Sequence, residues 1–163
     1  YKLDELLNKT SDLPFFIILD HLEDPHNLGA IIRSCDAVSV DGIIIPKDRS
    51  VNVNSTVMKV SVGALNYVPI CRVTNLVTTI KKLKQHGFWM VGSDMDGECL
   101  YTEVDYNIPI ALVIGSEGKG LSRLVKESCD YCVKIPMEGN INSLNASVAA
   151  SVMIYEVLRQ RRK

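Results

Sequence analysis

The sequence is short of the features that would mark a membrane, secreted or metal-bound protein. No apolar run approaches the ~18 residues that a membrane span needs. The first residues, Tyr1-Lys2-Leu3-Asp4-Glu5, carry no signal-peptide pattern. Net charge is also missing: 18 Lys and Arg against 19 Asp and Glu leave −1, so no overall field announces a polyanion partner. The one local exception, Arg159-Gln160-Arg161-Arg162-Lys163, reads as a solvated helix end favourably placed at the negative pole of the helix dipole. The five cysteines (Cys35, Cys71, Cys99, Cys129, Cys132) are odd in number and sit in apolar contexts. That excludes a disulfide framework and fits a reduced, cytoplasmic chain. Cys129-Asp130-Tyr131-Cys132 has no second pair and no suitably spaced His, which argues against zinc. It also leads into a strand instead of opening a helix, which argues against a redox thiolate. All five are expected to be core cysteines. There is no internal repeat and no metal-ligating cluster. No Met begins the chain, which suits a piece of a longer polypeptide.

Two phosphate-binding signatures are absent as well. Gly115 to Ser122 is glycine-rich, but Gly120 is followed by Leu121-Ser122, where a P-loop requires Lys-Ser/Thr. The dinucleotide fingerprint G-x-G-x-x-G is missing too, and this loop does not follow the first strand. The loop Ser93 to Gly97 starts like a calcium loop, lacks the downstream ligands, and reads as an ordinary turn.

What is present is an ordinary globular composition, 47% hydrophobic and 23% charged over 163 residues, enough for one domain with a full core. Apolar runs at Phe15–Asp20, Gly42–Pro46, Tyr67–Val73, Phe88–Gly92, Ile110–Ile114 and Cys132–Ile135 predict six strands. Pro69 places the third towards a sheet edge. Helical spacing predicts helices after Asp24-Pro25, from Asn54 to Ala64 with Asn54 or Ser55 as cap, from Leu76 towards Gly87, and from Ser122 to Ser128. A last helix is expected to bury Leu144, Val148, Val152, Tyr155 and Leu158 on one side. Residues 1–13 predict a linker or short helix, and 14–163 one α/β domain. Its sheet is mostly parallel and six-stranded, with helices on both faces.

Three loops following such strands carry unusual chemistry: Asn27 to Arg33, Gly115 to Gly120, and Ile135 to Asn145. In the last, Pro136 stops a strand, Gly139 frees the backbone, and Ser143 or Asn142 is placed to cap a helix. A strand-end loop of this kind presents backbone groups where open α/β sheets bind ligands. Together the three resemble the motifs of the SpoU (TrmH-like) branch of the SPOUT RNA methyltransferases. The first motif is Asp24-Pro25-His26-Asn27-Leu28-Gly29 running to Arg33. The second is Ile114-Gly115-Ser116-Glu117-Gly118, and the third runs from Ile135-Pro136-Met137 to Ser143-Leu144-Asn145. Pro46-Lys47-Asp48-Arg49-Ser50 narrows the resemblance towards bacterial enzymes that methylate a guanosine ribose of 23S rRNA.

The resemblance implies a deep C-terminal trefoil knot that cradles S-adenosylmethionine, a homodimer, and transfer of a methyl group to a ribose 2′-hydroxyl of RNA. It also implies an N-terminal RNA-binding domain that these residues do not include. Carried over by motif, Arg33, Asn27, Glu117, Ser143 and Asn145 are the catalytic residues. Gly115, Gly118, Ile135, Met137 and Leu144 bind the cofactor. Arg33 lies six residues after Asn27 and is expected to approach the same side of its helix. A guanidinium with a pKa above ~12 is a poor base, so Arg33 is expected to bind RNA phosphate and stabilise the forming alkoxide. Taken alone, Asn27, Ser143 and Asn145 are also helix caps, and His26 a turn histidine. A tRNA substrate, a catalytically inactive RNA-binding module and a flavodoxin-like nucleotide domain remain as alternatives.

Overall fold

The computed structural model describes residues 1–9, 11–48, 53–116, 118–141 and 143–162. Seven strands form one sheet: β1 (Phe15–Asp20), β2 (Gly42–Pro46), β3 (Ile70–Val73), β4 (Trp89–Ser93), β5 (Cys99–Leu100), β6 (Ile110–Gly115) and β7 (Tyr131–Lys134). Their order is β3-β2-β1-β6-β4-β7-β5, and every pairing is parallel. The expected six strands are therefore seven. Cys99–Leu100 adds two residues to the far edge beside β7 and is too short to leave a periodic signal. β3 lies at the opposite edge, as Pro69 suggested.

The helices are α1 (Leu3–Asn8), α2 (Pro25–Val38), α3 (Ser55–Val60), α4 (Leu76–Gln85), α5 (Arg123–Ser128) and α6 (Ala146–Arg161), with a 3-10 turn at Ala64–Asn66. Asn54 caps α3 through Val57 N–H, which ends a turn or so before Ala64. Buried strands carry apolar side chains on both faces. Phe15, Ile17 and Leu19 join Leu28, Ile31, Ile32, Met153 and Ile154 in one core, under α2, α3 and α6. Phe16 and Ile18 join Leu6, Ile80, Leu83 and Val125 in the other, under α1, α4 and α5. α1 is thus seated on the sheet through Leu6 and is part of this packing.

α6 does not bury the stripe expected of it. Ala146, Ala150, Met153, Ile154, Glu156 and Val157 face inward, whereas Val148 and Tyr155 are 47% and 49% exposed and Leu144, Val152 and Leu158 only half-buried. The helix is apolar nearly all round, so its sequence period does not select a face. Its cap is Asn145, which accepts from Ser147 N–H at 2.9 Å, and not Ser143; Asn142 lies outside the described residues.

Three residues of the basic tail, Arg159, Gln160 and Arg161, are bonded into the fold. Arg159 forms two hydrogen bonds to the buried Glu156, at 2.7 and 2.9 Å. Arg161 donates to the carbonyls of Tyr106, Leu13 and Ile108, each at 2.9 Å, tying the chain before β1 to the loop before β6. Gln160 adds bonds to Val104 O and Tyr106 N, and the fully buried Tyr106 donates its hydroxyl to Tyr101 O. Of the cysteines, Cys35 and Cys71 are core residues, while Cys99, Cys129 and Cys132 are half-buried, and all five are free thiols. Burial pushes the Cys129 thiol up to about 12, and the Cys35 thiol is raised for the same reason.

Candidate active site

All seven strands run the same way, so their C-terminal ends share one edge, where the three loops emerge. β1 and β6 are neighbours there, with Asp20 in register with Gly115. The Asp20 carboxylate is 1% exposed. It accepts hydrogen bonds from Ser122 N–H at 2.6 Å and Ser122 Oγ at 2.8 Å, and it meets His21 Nδ1 at 2.5 Å. One side chain thereby fixes both the exit of the glycine loop and the first residue beyond β1. Sequence reading assigned neither Asp20 nor His21 a role, because the bond to Ser122 spans 102 positions. The one local signal is the strand-ending acid beside a His, which is weak by itself.

From His21, which adopts a left-handed φ of 60°, the chain turns into α2. Asp24 caps that helix by accepting from His26 N–H at 2.8 Å, and Pro25 occupies its first turn, where no N–H partner is needed. Asn27 follows and is buried. Arg33 is exposed, so the two do not share a side. Six residues at 100° each leave them about 120° apart around the helix. Ser34, the next residue, meets Ser151 of α6 through its hydroxyl at 2.8 Å. His26 stays on the turn, paired with Asp24.

The glycine loop folds back on itself. Gly120 N–H donates to Ser116 O at 2.9 Å, and the two residues bridge antiparallel. A Cβ at residue 115 would lie 2.3 Å from the backbone carbon of Gly120, so no larger residue fits there. Gly118 and Gly120 have φ of +78° and +65°, which residues with a Cβ rarely adopt. Glu117, expected at this loop as a catalytic residue, lies outside the described residues. A cleft of about 250 Å³ separates the loop from the start of α2, lined by His21, Glu23, Asp24, Asn27, Ser116 and Lys119. Asn27 and the Gly115 loop are therefore brought together.

The third loop leaves β7, which is separated from β6 by β4. Two strand spacings put the ends of β6 and β7 roughly 10 Å apart. Ile135 packs half-buried against the core, Leu144 is half-buried, and Met137, Ser143 and Asn145 are exposed. Among the described residues, no backbone hydrogen bond joins 136–141 or 143–144 to another residue. This stretch keeps a row of N–H and C=O groups for water or a ligand. The turn after β4 lies between the two loops, so a ligand spanning Gly115 and Ile135 crosses it. Asp94 holds that turn, accepting from Asp96 N–H and pairing with Lys126 at 3.0 Å. The reading of Ser93 to Gly97 as an ordinary turn holds: Gly97 N–H closes it on Asp94 O at 3.0 Å. Among the described residues, no group of three or more His, Cys, Asp or Glu side chains is placed to hold a metal ion.

An open parallel sheet whose glycine-rich and unpaired loops crowd the C-terminal edge defines a ligand-binding α/β domain. Its class is given by likeness as well as by geometry. The SpoU rRNA Methylase family pattern matches residues 14–155, and the chain belongs to that family. It is 52% identical over 163 residues to YacO of Bacillus subtilis (strain 168), assigned to the TrmH family of tRNA/rRNA methyltransferases. The match covers 98% of this chain and 66% of that protein. A Staphylococcus haemolyticus relative of the same assignment is 55% identical, with 97% and 65% covered. The chain thus spans a little under two thirds of the length of these relatives. Among solved structures, the SpoU methyltransferase AviRb from Streptomyces viridochromogenes, in complex with the cofactor AdoMet, superposes with a TM-score of 0.88 at 33% identity, covering 98% of this chain and 62% of that one. The A. aeolicus TrmH/SpoU tRNA modifying enzyme superposes at 0.84 with 34% identity, covering 96% and 79%.

Proposed function

We propose that these residues form the catalytic domain of an S-adenosylmethionine-dependent RNA ribose 2′-O-methyltransferase acting on a guanosine of 23S rRNA. The observation that carries this reading is the convergence on one sheet edge of the Asn27 cleft, the closed Gly115 loop and the 136–141 backbone, which has no backbone hydrogen bond to another described residue. The residues suit the cofactor. Half-buried Ile135 and Leu144 offer apolar walls for an adenine ring. The backbone groups of 136–141 offer hydrogen bonds to its edge, and Gly115, Gly118 and Met137 are the further cofactor contacts of this reading. When bound, the cofactor supplies an electrophilic methyl group on a sulfonium sulfur.

The chain's own residues then position the acceptor. Arg33, exposed and without a partner among the described residues, is available to an RNA phosphate and to the developing alkoxide charge. Asn27 holds the wall of the cleft, and Ser143 and Asn145 reach the RNA from the rim. Glu117 completes the set. The trefoil knot belongs to the same reading, as does a homodimer, which the exposed Val148 and Tyr155 on α6 support. Reduced thiols suit a cytoplasmic site of action. The tRNA reading draws on the A. aeolicus likeness. Calorimetry with S-adenosylmethionine tests the reading: saturable binding is expected, and its absence would leave only an RNA-binding module.

A further inference from the structure

The proposed chemistry needs a proton acceptor, because a ribose hydroxyl is a very weak acid and a guanidinium does not give up a proton to become a base. We propose that His21, oriented by Asp20, takes that proton through Nε2; the assignment rests on the methyltransferase reading. Three independent features of the structure carry it.

The first is the backbone. His21 adopts φ 60°, a conformation that a residue with a Cβ avoids and that persists where the surroundings enforce it. This turn swings the ring back over the end of its own strand, onto the Asp20 carboxylate. The second is the hydrogen-bond pattern. Oδ2 of the buried carboxylate accepts both Ser122 N–H and Ser122 Oγ–H, and Oδ1 faces His21 Nδ1. A carboxylate so used is an acceptor, which puts the imidazole proton on Nδ1 and leaves the Nε2 lone pair directed away from Asp20. The same division of labour, a carboxylate fixing the tautomer of a general base, serves hydrolytic triads. The third is place. His21 is 42% exposed, lines the 250 Å³ cleft with Asn27 and Ser116, and is the only histidine among the described residues to do so.

In the step itself, a hydroxyl lone pair forms the O–CH₃ bond as the C–S pair leaves on sulfur, giving a neutral thioether. The hydroxyl proton passes to Nε2, and the exposed edge of the imidazolium returns it to water. Asp20 contacts the ring, and Glu23 and Asp24 from its own loop and Lys119 from the glycine loop line the same cleft. Glu117, of that same loop, is outside the described residues.

The test pairs single-turnover methylation across about pH 5.5 to 9 with nitrogen-resolved NMR of the His21 ring in the cofactor-free protein. His21→Asn is the informative variant, because Asn tolerates the left-handed backbone. It is expected to lower the rate by about 10²–10⁴ and to flatten the acid limb of the profile, with cofactor affinity in calorimetry unchanged within about threefold. Asp20→Asn is expected to lower the rate and to shift the ring proton from Nδ1 to Nε2. A His21→Asn protein with the wild-type rate or acid limb would overturn the assignment. So would loss of its cofactor affinity in parallel with rate, or a wild-type ring protonated on Nε2. A wild-type protein that binds no cofactor sinks the methyltransferase reading instead, and the ring spectrum still decides the tautomer.

Discussion

At residue 115 a single methyl group would meet the Gly120 carbonyl carbon at 2.3 Å and its oxygen at 2.5 Å. Gly115→Ala must therefore open the glycine loop, at a cost of about 1–3 kcal/mol, and calorimetry should show cofactor affinity falling at least about tenfold. Asn145 has two proposed duties that substitution separates. Asn145→Ser keeps a capping oxygen and should leave the melting temperature nearly unchanged while methylation falls. Asn145→Ala should also cost about 1 kcal/mol of stability in urea unfolding. Equal activity in Asn145→Ser and wild type would leave it a cap only. Glu156 offers a pH test of stability. The Arg159 guanidinium beside it holds its carboxyl below the usual range, with Gln160 adding a hydrogen bond and burial opposing both. Because the folded value lies under the unfolded one, its contribution is complete above about pH 4.5 and disappears as pH falls through the folded value. Unfolding followed from pH 7 to 3 should lose stability less steeply in Glu156→Gln, and an unchanged slope would contradict the pairing. Residues of this kind show where sequence stops. Gly115 announces itself through the loop composition around it. Asp20 and Arg161 act through partners 102 and up to 148 positions away, and no local pattern encodes those meetings.

Elements were legible where burial on both sides leaves an unbroken apolar run. β1 and β2 match their sequence bounds residue for residue, and β6 gains only Gly115. β5 was invisible because two residues make no period, and its pairing with β7 is fixed by the sheet around it. α6 was seen as an element but turned the wrong way. Its small and apolar residues surround the axis, and contacts with α2 chose the inward face. That orientation leaves Val148 and Tyr155 exposed on α6, with Val152 half-buried between them. In the homodimer reading this stripe meets its counterpart in a second copy. Val148→Glu with Tyr155→Glu should convert dimer to monomer in sedimentation velocity, with little change in melting temperature because both side chains are already exposed. A double variant that sediments as the wild-type protein does would remove the stripe from the interface.

For the whole molecule, strand alternation gave the α/β class, parallel sheet and helices on both faces, and motif order placed the ligand edge. The spatial order β1-β6-β4-β7 was not readable, because equally apolar strands have no preference for one neighbour over another. Charge acts at this scale as well. With a net charge of −1, the chain has few cations to displace counterions from RNA. The logarithm of its RNA affinity should therefore fall with a shallow slope against the logarithm of salt, on the order of −1 to −3, and a steep slope would reveal a basic track that composition hides. The most direct test of the account supplies the protein with methyl-labelled S-adenosylmethionine and unmodified 23S rRNA, then digests the RNA to nucleosides. The account predicts label in 2′-O-methylguanosine, and none when Arg33→Ala replaces the wild-type protein. Label on a base, or no transfer by a protein that binds both cofactor and RNA, would contradict it.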